Sequence, residues 1–177
     1  MTYKCLYKTP KNFDDILMTS DGEYLTGLCF VNSKDNKKLN ANYNVKDLPI
    51  FKDTCKWLNI YFCGKNPNFI PKYKVNSLTP FRKEVSDIMN KIPFGKTITY
   101  GEIANIIALK RGIKKMSSQA VGGAVGSNSI CIIIPCHRVI GSNGNLTGYG
   151  GGIKNKIALL ELENHDMNKF FIPKNKL

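Results

Sequence analysis

Histidine is scarce in this chain, and acidic residues are few beside the basic ones. Thirteen Asp and Glu stand against 26 Lys and Arg over 177 residues, a formal net charge of +13, and the only histidines are His137 and His165. Two imidazoles, with no C-x-x-C spacing among Cys5, Cys29, Cys55, Cys63, Cys131 and Cys136, speak against a zinc site, and only four cysteines gathered from distant positions would restore one. No apolar run approaches membrane-spanning length, and Met-Thr-Tyr-Lys-Cys lacks the charged-then-apolar layout of a signal peptide. A cytoplasmic protein with no membrane partner is therefore expected. Scattered thiols in such a chain stay reduced, so no disulfides are expected. The positive field draws the chain toward polyanions such as nucleic acid or acidic membranes, yet AT-rich coding also yields lysine-rich chains. Where the charge sits has to decide.

The length suits one substantial core or two small ones. Strand-like segments at Tyr3–Tyr7 and Tyr24–Val31, with a turn at Asp21-Gly22, precede a helix opened by Leu48-Pro49. Along that helix Phe51, Cys55, Leu58 and Phe62 recur at helical spacing up to Gly64. Asn32–Asn44 reads as a mobile polar loop. Residues from Cys63 to Ser77 have the Gly, Pro and Asn content of a connector, which places domain boundaries at 1–77 and 78–177. The class is α+β.

Past the boundary, Thr79-Pro80 caps a helix whose apolar face is Phe81, Val85, Ile88, Met89 and Ile92. Thr99-x-x-Glu102 has the capping-box pattern and starts a second helix ending near Gly112. Lys110, Arg111, Lys114 and Lys115 then lead to Ser117-Ser118 and a third helix through Val125, the order of a helix-turn-helix unit. Gly122, Gly123 and Gly126 each weaken that helix by roughly 1 kcal/mol relative to alanine. Either a DNA strand passes close to them, or they pack tightly on the following apolar segment.

That segment, Ile132-Ile-Ile-Pro135, reads as a strand whose ladder stops at proline, leaving Cys136, His137 and Arg138 in the bend. A cysteine attacks only as thiolate, so it needs a base, and His137 is the neighbour that could serve. Adjacent side chains on a strand diverge, so a turn or a bridging water must connect them. The plain alternative makes Cys136 a small core residue and His137 a satisfied polar one. On the last helix, roughly Ile153–Glu163, Glu163 falls inside the apolar arc, where a carboxylate must have a partner. That partner is His137 in a catalytic arrangement, or Lys156 in an ordinary surface ion pair.

Pro135-Cys-His-Arg-Val139 resembles the active-site signature of the O6-alkylguanine-DNA alkyltransferases, the methylated-DNA–protein-cysteine methyltransferases. The likeness runs through Ile92-Pro-x-Gly-x-Thr-x-Thr-Tyr-Gly-Glu-Ile-Ala104, Ala120-Val-Gly-Gly-Ala124, Asn128, Gly148-Tyr149 and Leu159-Leu-x-Leu-Glu163, in the family's order. It covers nearly all of residues 78–163 and only loosely the N-terminal lobe. The resemblance implies a ribonuclease-H-like N-terminal lobe and a winged-helix, helix-turn-helix C-terminal domain. It implies a monomer, without cofactor or metal, that binds double-stranded DNA containing O6-alkylguanine, with O4-alkylthymine as a further candidate lesion. Cys136 is then the alkyl acceptor, His137 its base through water, Glu163 the group orienting that imidazole, and Asn128 a brace for the turn. Tyr149 and Val139 would contact the flipped base and Tyr100 the target phosphate. Ser118, Gln119, Ala120, Gly122 and Gly123 would face the DNA; Arg138 is also placed on that side, with a structural rather than catalytic part.

One departure is Gln119, which stands where the family usually has an arginine that fills the gap left by the flipped base. Glutamine lacks the charge and stacking plane of arginine, so weaker binding or a changed lesion preference is expected. Two other classes compete. A non-catalytic DNA-binding module would need no Cys-His-Glu constellation. A cysteine hydrolase would leave the basic helix pair idle.

Overall fold

In the computed structural model, residues 2–34, 44–45, 47–76 and 78–172 are described. Most of the polar 32–44 segment, and Ser77 at the expected boundary, lie outside the described residues. Strands β1 (Tyr3–Tyr7), β2 (Ile16–Ser20) and β3 (Leu25–Phe30) form an antiparallel meander, and β4 (Asn44–Val45) joins β1 in parallel. The Asp21-Gly22 turn joins β2 to β3. The Asp21 carboxylate accepts the backbone N–H groups of Glu23 at 3.1 Å and Tyr24 at 2.8 Å, while Gly22 takes a φ of +114°. Strand β2 escapes a period-two reading because Ile16, Met18, Thr19 and Ser20 are all buried.

Helix α1 (Pro49–Phe62) packs on this sheet through Ile50, Phe51, Thr54, Trp57, Leu58 and Tyr61. Cys55 and Phe62, expected on that face, are only half-buried, because the two large rings of Trp57 and Tyr61 take the inner side. The connector runs back along β3: Leu25 N–H donates to the Lys72 carbonyl and Lys74 N–H to the Leu25 carbonyl, both at 2.9 Å.

In the second half, α2 (Pro80–Met89) is capped by Thr79, and α3 (Tyr100–Arg111) by the full Thr99–Glu102 capping box, with Gly112 closing it at φ +63°. Glu84 of α2 holds Arg111 at 2.6 Å and Lys110 at 3.3 Å at the far end of α3. Helix α4 (Ser118–Val125) is capped by Ser117 and packs on α2 and α3. Short strand β5 (Ile98–Thr99), just ahead of α3, pairs in parallel with β6 (Val139–Ile140), and α5 (Ile153–Leu162) follows. Among the described residues no helix is long and apolar enough to cross a membrane.

The Ile132–Ile134 run is not a strand. Ile130 bridges Leu28 of β3, and the chain then folds on itself: Ile134 N–H donates to the Ile130 carbonyl at 3.1 Å, and Ile132 takes a φ of +68°. A left-handed conformation is rare for a β-branched residue and persists only where its surroundings fix it. An apolar run buried on all sides has no period to distinguish strand from turn, which is why the sequence misleads here. One continuous buried cluster joins β2, β3 and α1 to α2, α3, α4 and this turn.

Candidate active site

Pro135 has no N–H to give, and the chain bends at once into a single 3-10 turn over Cys136–Arg138. The turn is held from outside by Asn128. Its Oδ1 accepts Ile130 N–H at 3.0 Å, and its Nδ2 donates to the Ile130 carbonyl at 3.3 Å, the Ile134 carbonyl at 3.0 Å and the Cys136 sulfur at 3.0 Å. The amide thereby fixes the sulfur within the turn. Cys136 is 5% exposed and so shielded from bulk solvent.

His137 is fully buried, and its Nε2 lies 2.9 Å from Glu163 Oε1. Burial pushes its pKa below the ordinary value, against the opposing pull of Glu163. The imidazole is therefore neutral. With a carboxylate against Nε2, that nitrogen carries the hydrogen and donates it, which leaves the lone pair on Nδ1. Nδ1 has no hydrogen-bond partner among the described residues. A neutral ring with a pinned Nε2–H and an uncommitted Nδ1 is a proton acceptor ready for use.

Glu163 caps α5 and is the centre of the network. Burial alone would raise its pKa, but the hydrogen bond from His137, and then the hydrogen bonds and charge of Arg138, hold it well below the usual carboxylate range. Arg138 Nε sits 3.0 Å from Oε2 and its Nη2 2.8 Å from Oε1, while Nη1 donates to the Ile92 carbonyl at 2.8 Å. Gly95 N–H adds a donor to Oε2 at 3.1 Å. That glycine has φ +72°, and a Cβ there would stand 3.2 Å from the Glu163 carbonyl, so the Pro-x-Gly turn is shaped to reach Glu163.

Two expectations are corrected by this geometry. Arg138, expected on the DNA side, turns inward: the residue is 8% exposed, and its Nε, Nη1 and Nη2 donate to Glu163 and Ile92. Lys156 forms no surface ion pair with Glu163. It is wholly buried, its Nζ donates to the Val139 carbonyl at 2.7 Å and lies 5.8 Å from the Tyr149 ring centre, and burial brings its pKa down to about 8.

Tyr100 opens α3, and its hydroxyl donates to the Thr147 carbonyl at 3.4 Å. Burial and the nearby Cys136 push that phenol up to about 12. Tyr149 lies across Gly151, where any side chain would strike its ring. Val139 is buried in β6, directly after the Cys136 turn. On α4, Ser118, Gln119, Ala120 and Gly123 are exposed and Gly122 half-buried. A Cβ on Gly123 would meet nothing within 4 Å, and one on Gly122 only the Tyr100 ring at 3.9 Å. Neither packs on the isoleucine turn, so the fold itself does not require them.

Three participants carried no local sequence signal: Tyr61, Gly95 as a Glu163 donor, and Lys156 as a Val139 donor. The hydroxyl of Tyr61 on α1 donates to Glu163 Oε1 at 2.7 Å across 102 residues of chain. Among the described residues no group of three or more His, Cys, Asp or Glu is placed to hold a metal.

A family model described as 6-O-methylguanine DNA methyltransferase, DNA binding domain, matches residues 80–165. The methylated-DNA–protein-cysteine methyltransferase of Methanosarcina acetivorans is 39% identical over 163 residues, 91% of this chain and 97% of its own. That of Haemophilus influenzae is 37% identical over 89% of this chain and 86% of its own. The crystal structure of the Mycobacterium tuberculosis O6-methylguanine methyltransferase superposes with a TM-score of 0.75 at 36% identity, over 92% of this chain and 93% of that one. The same organism's protein in complex with DNA gives 0.72 at 33% identity, over 96% and 94%.

Proposed function

The chain belongs to the methylated-DNA–protein-cysteine methyltransferase family, and on that premise we propose that Cys136 takes the alkyl group from O6 of guanine in duplex DNA. The activity is DNA repair by direct reversal, in which the protein is both catalyst and reagent. Sγ forms a bond to the alkyl carbon as the bond from that carbon to O6 breaks, and the released electron pair passes into the guanine. The thiol proton moves through a water to Nδ1 of His137, and a proton returns to guanine N1, which O6-alkylation had left bare. The product thioether has no base-labile bond, so each molecule reacts once. The alkyl carbon is itself the electrophile, and no cofactor is needed.

The observation that carries this reading is the Cys136 sulfur held at 3.0 Å by Asn128, beside a buried His137 whose Nε2 is tied to Glu163. Glu163 and Arg138 position; they do not touch the substrate.

The pair α3–α4, with Lys110, Arg111, Lys114 and Lys115 between, acts as the helix-turn-helix of a winged-helix-like domain, after a ribonuclease-H-like lobe ending near residue 77. The exposed small residues of α4 support a close approach in the minor groove, where sequence readout is weak and a repair protein needs none. Pairing of β5 with β6 couples the start of α3 to the strand that leaves the Cys136 turn. Reaching O6 requires extrusion of the base, at a few kcal/mol, toward Cys136, and Tyr100, Tyr149 and Val139 are the residues assigned to receive it. Gln119 fills the gap it leaves, without the charge of an arginine. Six free cysteines suit a reducing compartment, which supports a cytoplasmic location.

Incubation with a duplex carrying one O6-methylguanine, followed by intact mass and peptide mapping, tests the reading. One methyl group on Cys136, saturating at one equivalent and absent from Cys136→Ala, is expected. An unchanged mass despite lesion binding would make the protein a damage-binding module instead. O4-methylthymine in the same assay decides the second lesion.

A further inference from the structure

A member of the active-site network comes from the other half of the chain. Tyr61 is fully buried among Trp57, Phe62 and Phe94, with its ring edge-on to His137 at 6.4 Å between centres. Phenylalanine would fill that space as well, and a hydroxyl buried among rings is unfavourable unless it is bonded. Here it is bonded: it donates to Glu163 Oε1 at 2.7 Å and lies 3.3 Å from Nε2 of His137. We propose that Tyr61 is a positioning residue for alkyl transfer, which by donating to the oxygen that holds His137 keeps the imidazole neutral and its Nδ1 free to accept a proton. The proposal rests on His137 being the base.

Oε1 has three partners: Tyr61, His137 and Arg138. Each donor draws negative charge from it, and the less that remains for Nε2–H, the weaker the pull toward imidazolium. The other charged groups acting on the ring, Arg138 from its own turn and Lys156 from α5, also oppose a second proton. Without the Tyr61 hydroxyl, Oε1 turns wholly to His137 and Arg138, and the imidazole becomes more basic. Burial, reinforced by Glu163, holds the Tyr61 phenol well above its usual pKa, so it remains a donor throughout the working range.

The chain has only two histidines, so nitrogen-15 NMR resolves both rings, and a His165→Gln variant assigns them. In Tyr61→Phe the His137 titration is expected to move up by about one pH unit, a tenfold change in proton affinity. The acid limb of the alkyl-transfer rate moves with it. Site-specific 2,3,5-trifluorotyrosine at 61, a stronger donor of nearly the same shape, should shift both downward. That arm stands even if the phenylalanine variant folds poorly. A His137 titration unmoved in both variants overturns the proposal. A moved titration with an unmoved rate profile would uphold the Tyr61 coupling and overturn His137 as the base.

Discussion

The side-chain nitrogen of Asn128 that reaches the Cys136 sulfur at 3.0 Å also spans the carbonyls of Ile130 and Ile134, so one amide both presents the nucleophile and closes the turn that carries it. Asn128→Ala would take the acceptor from the buried Ile130 N–H, remove one of two donors from each of the Ile130 and Ile134 carbonyls, and release Ile132 from its left-handed conformation. A loss of about 2–3 kcal/mol in urea unfolding is expected. A misplaced sulfur should also slow single-turnover alkyl transfer by roughly 100-fold. Asn128→Asp keeps the volume but sets a negative charge against two carbonyls and the thiolate, so it should lower the rate at least as far. Wild-type rates in either variant would remove Asn128 from the site.

Acid should destabilise the fold in two stages. His137 has a lowered pKa in the folded state, so below its unfolded value of about 6.5 the unfolded chain binds the extra proton and gains. Glu163 is also lowered, so its stabilisation is complete above the unfolded value of about 4.3 and drains away below it. Unfolding free energy from urea titrations should fall from pH 7.5 to 5.5, and more steeply below 4.5. His137→Gln should shrink the first stage to the part that comes from His165, whose pKa burial also lowers, and reduce the second without removing it, since Arg138 still holds Glu163. A wild-type curve level from pH 7.5 to 5.5 would contradict a neutral, buried imidazole.

Glu163 was legible because a helical wheel put a carboxylate in an apolar arc, and a buried charge must have a partner. Cys136 and His137 stood out as a pair, but not in their geometry: the isoleucine run before them has no period, and the turn depends on Asn128. Placing Arg138 on the DNA side misleads, since a guanidinium in a bend looks the same in sequence whether it turns outward or into the interior. Tyr61 lies beside the expected stripe of Phe51, Cys55, Leu58 and Phe62 rather than on it, and nothing local marks a tyrosine whose hydroxyl finds its partner 102 residues away. Caps, helices and the Asp21 turn were readable because their causes lie within four residues; the network was not, because its causes are tertiary.

Gln119 is exposed at the second position of α4. Gln119→Arg adds a cation and a stacking plane at the DNA surface, so duplex affinity should rise several-fold and its salt dependence steepen by about one counterion. The repair rate of O6-methylguanine should rise with it if filling the gap limits base extrusion. Titrations at two salt concentrations, paired with single-turnover rates, measure both. No change in either would mean that Gln119 does not enter the duplex.

Gly123 separates fold from function most cleanly. Its place in α4 is helical and a Cβ would meet no atom within 4 Å, so Gly123→Ala should stabilise the protein by roughly 0.5–1 kcal/mol through helix propensity alone. If that face lies against a DNA backbone, the same methyl group stands in the contact. Duplex affinity should then fall, modestly for alanine and by well over tenfold for Gly123→Leu, while the rate of transfer from free O6-methylguanine base stays unchanged. The opposite signs matter, because a merely structural glycine would lose stability on substitution and an idle surface position would lose nothing. Equal duplex affinity for glycine, alanine and leucine at 123 would move the DNA away from α4.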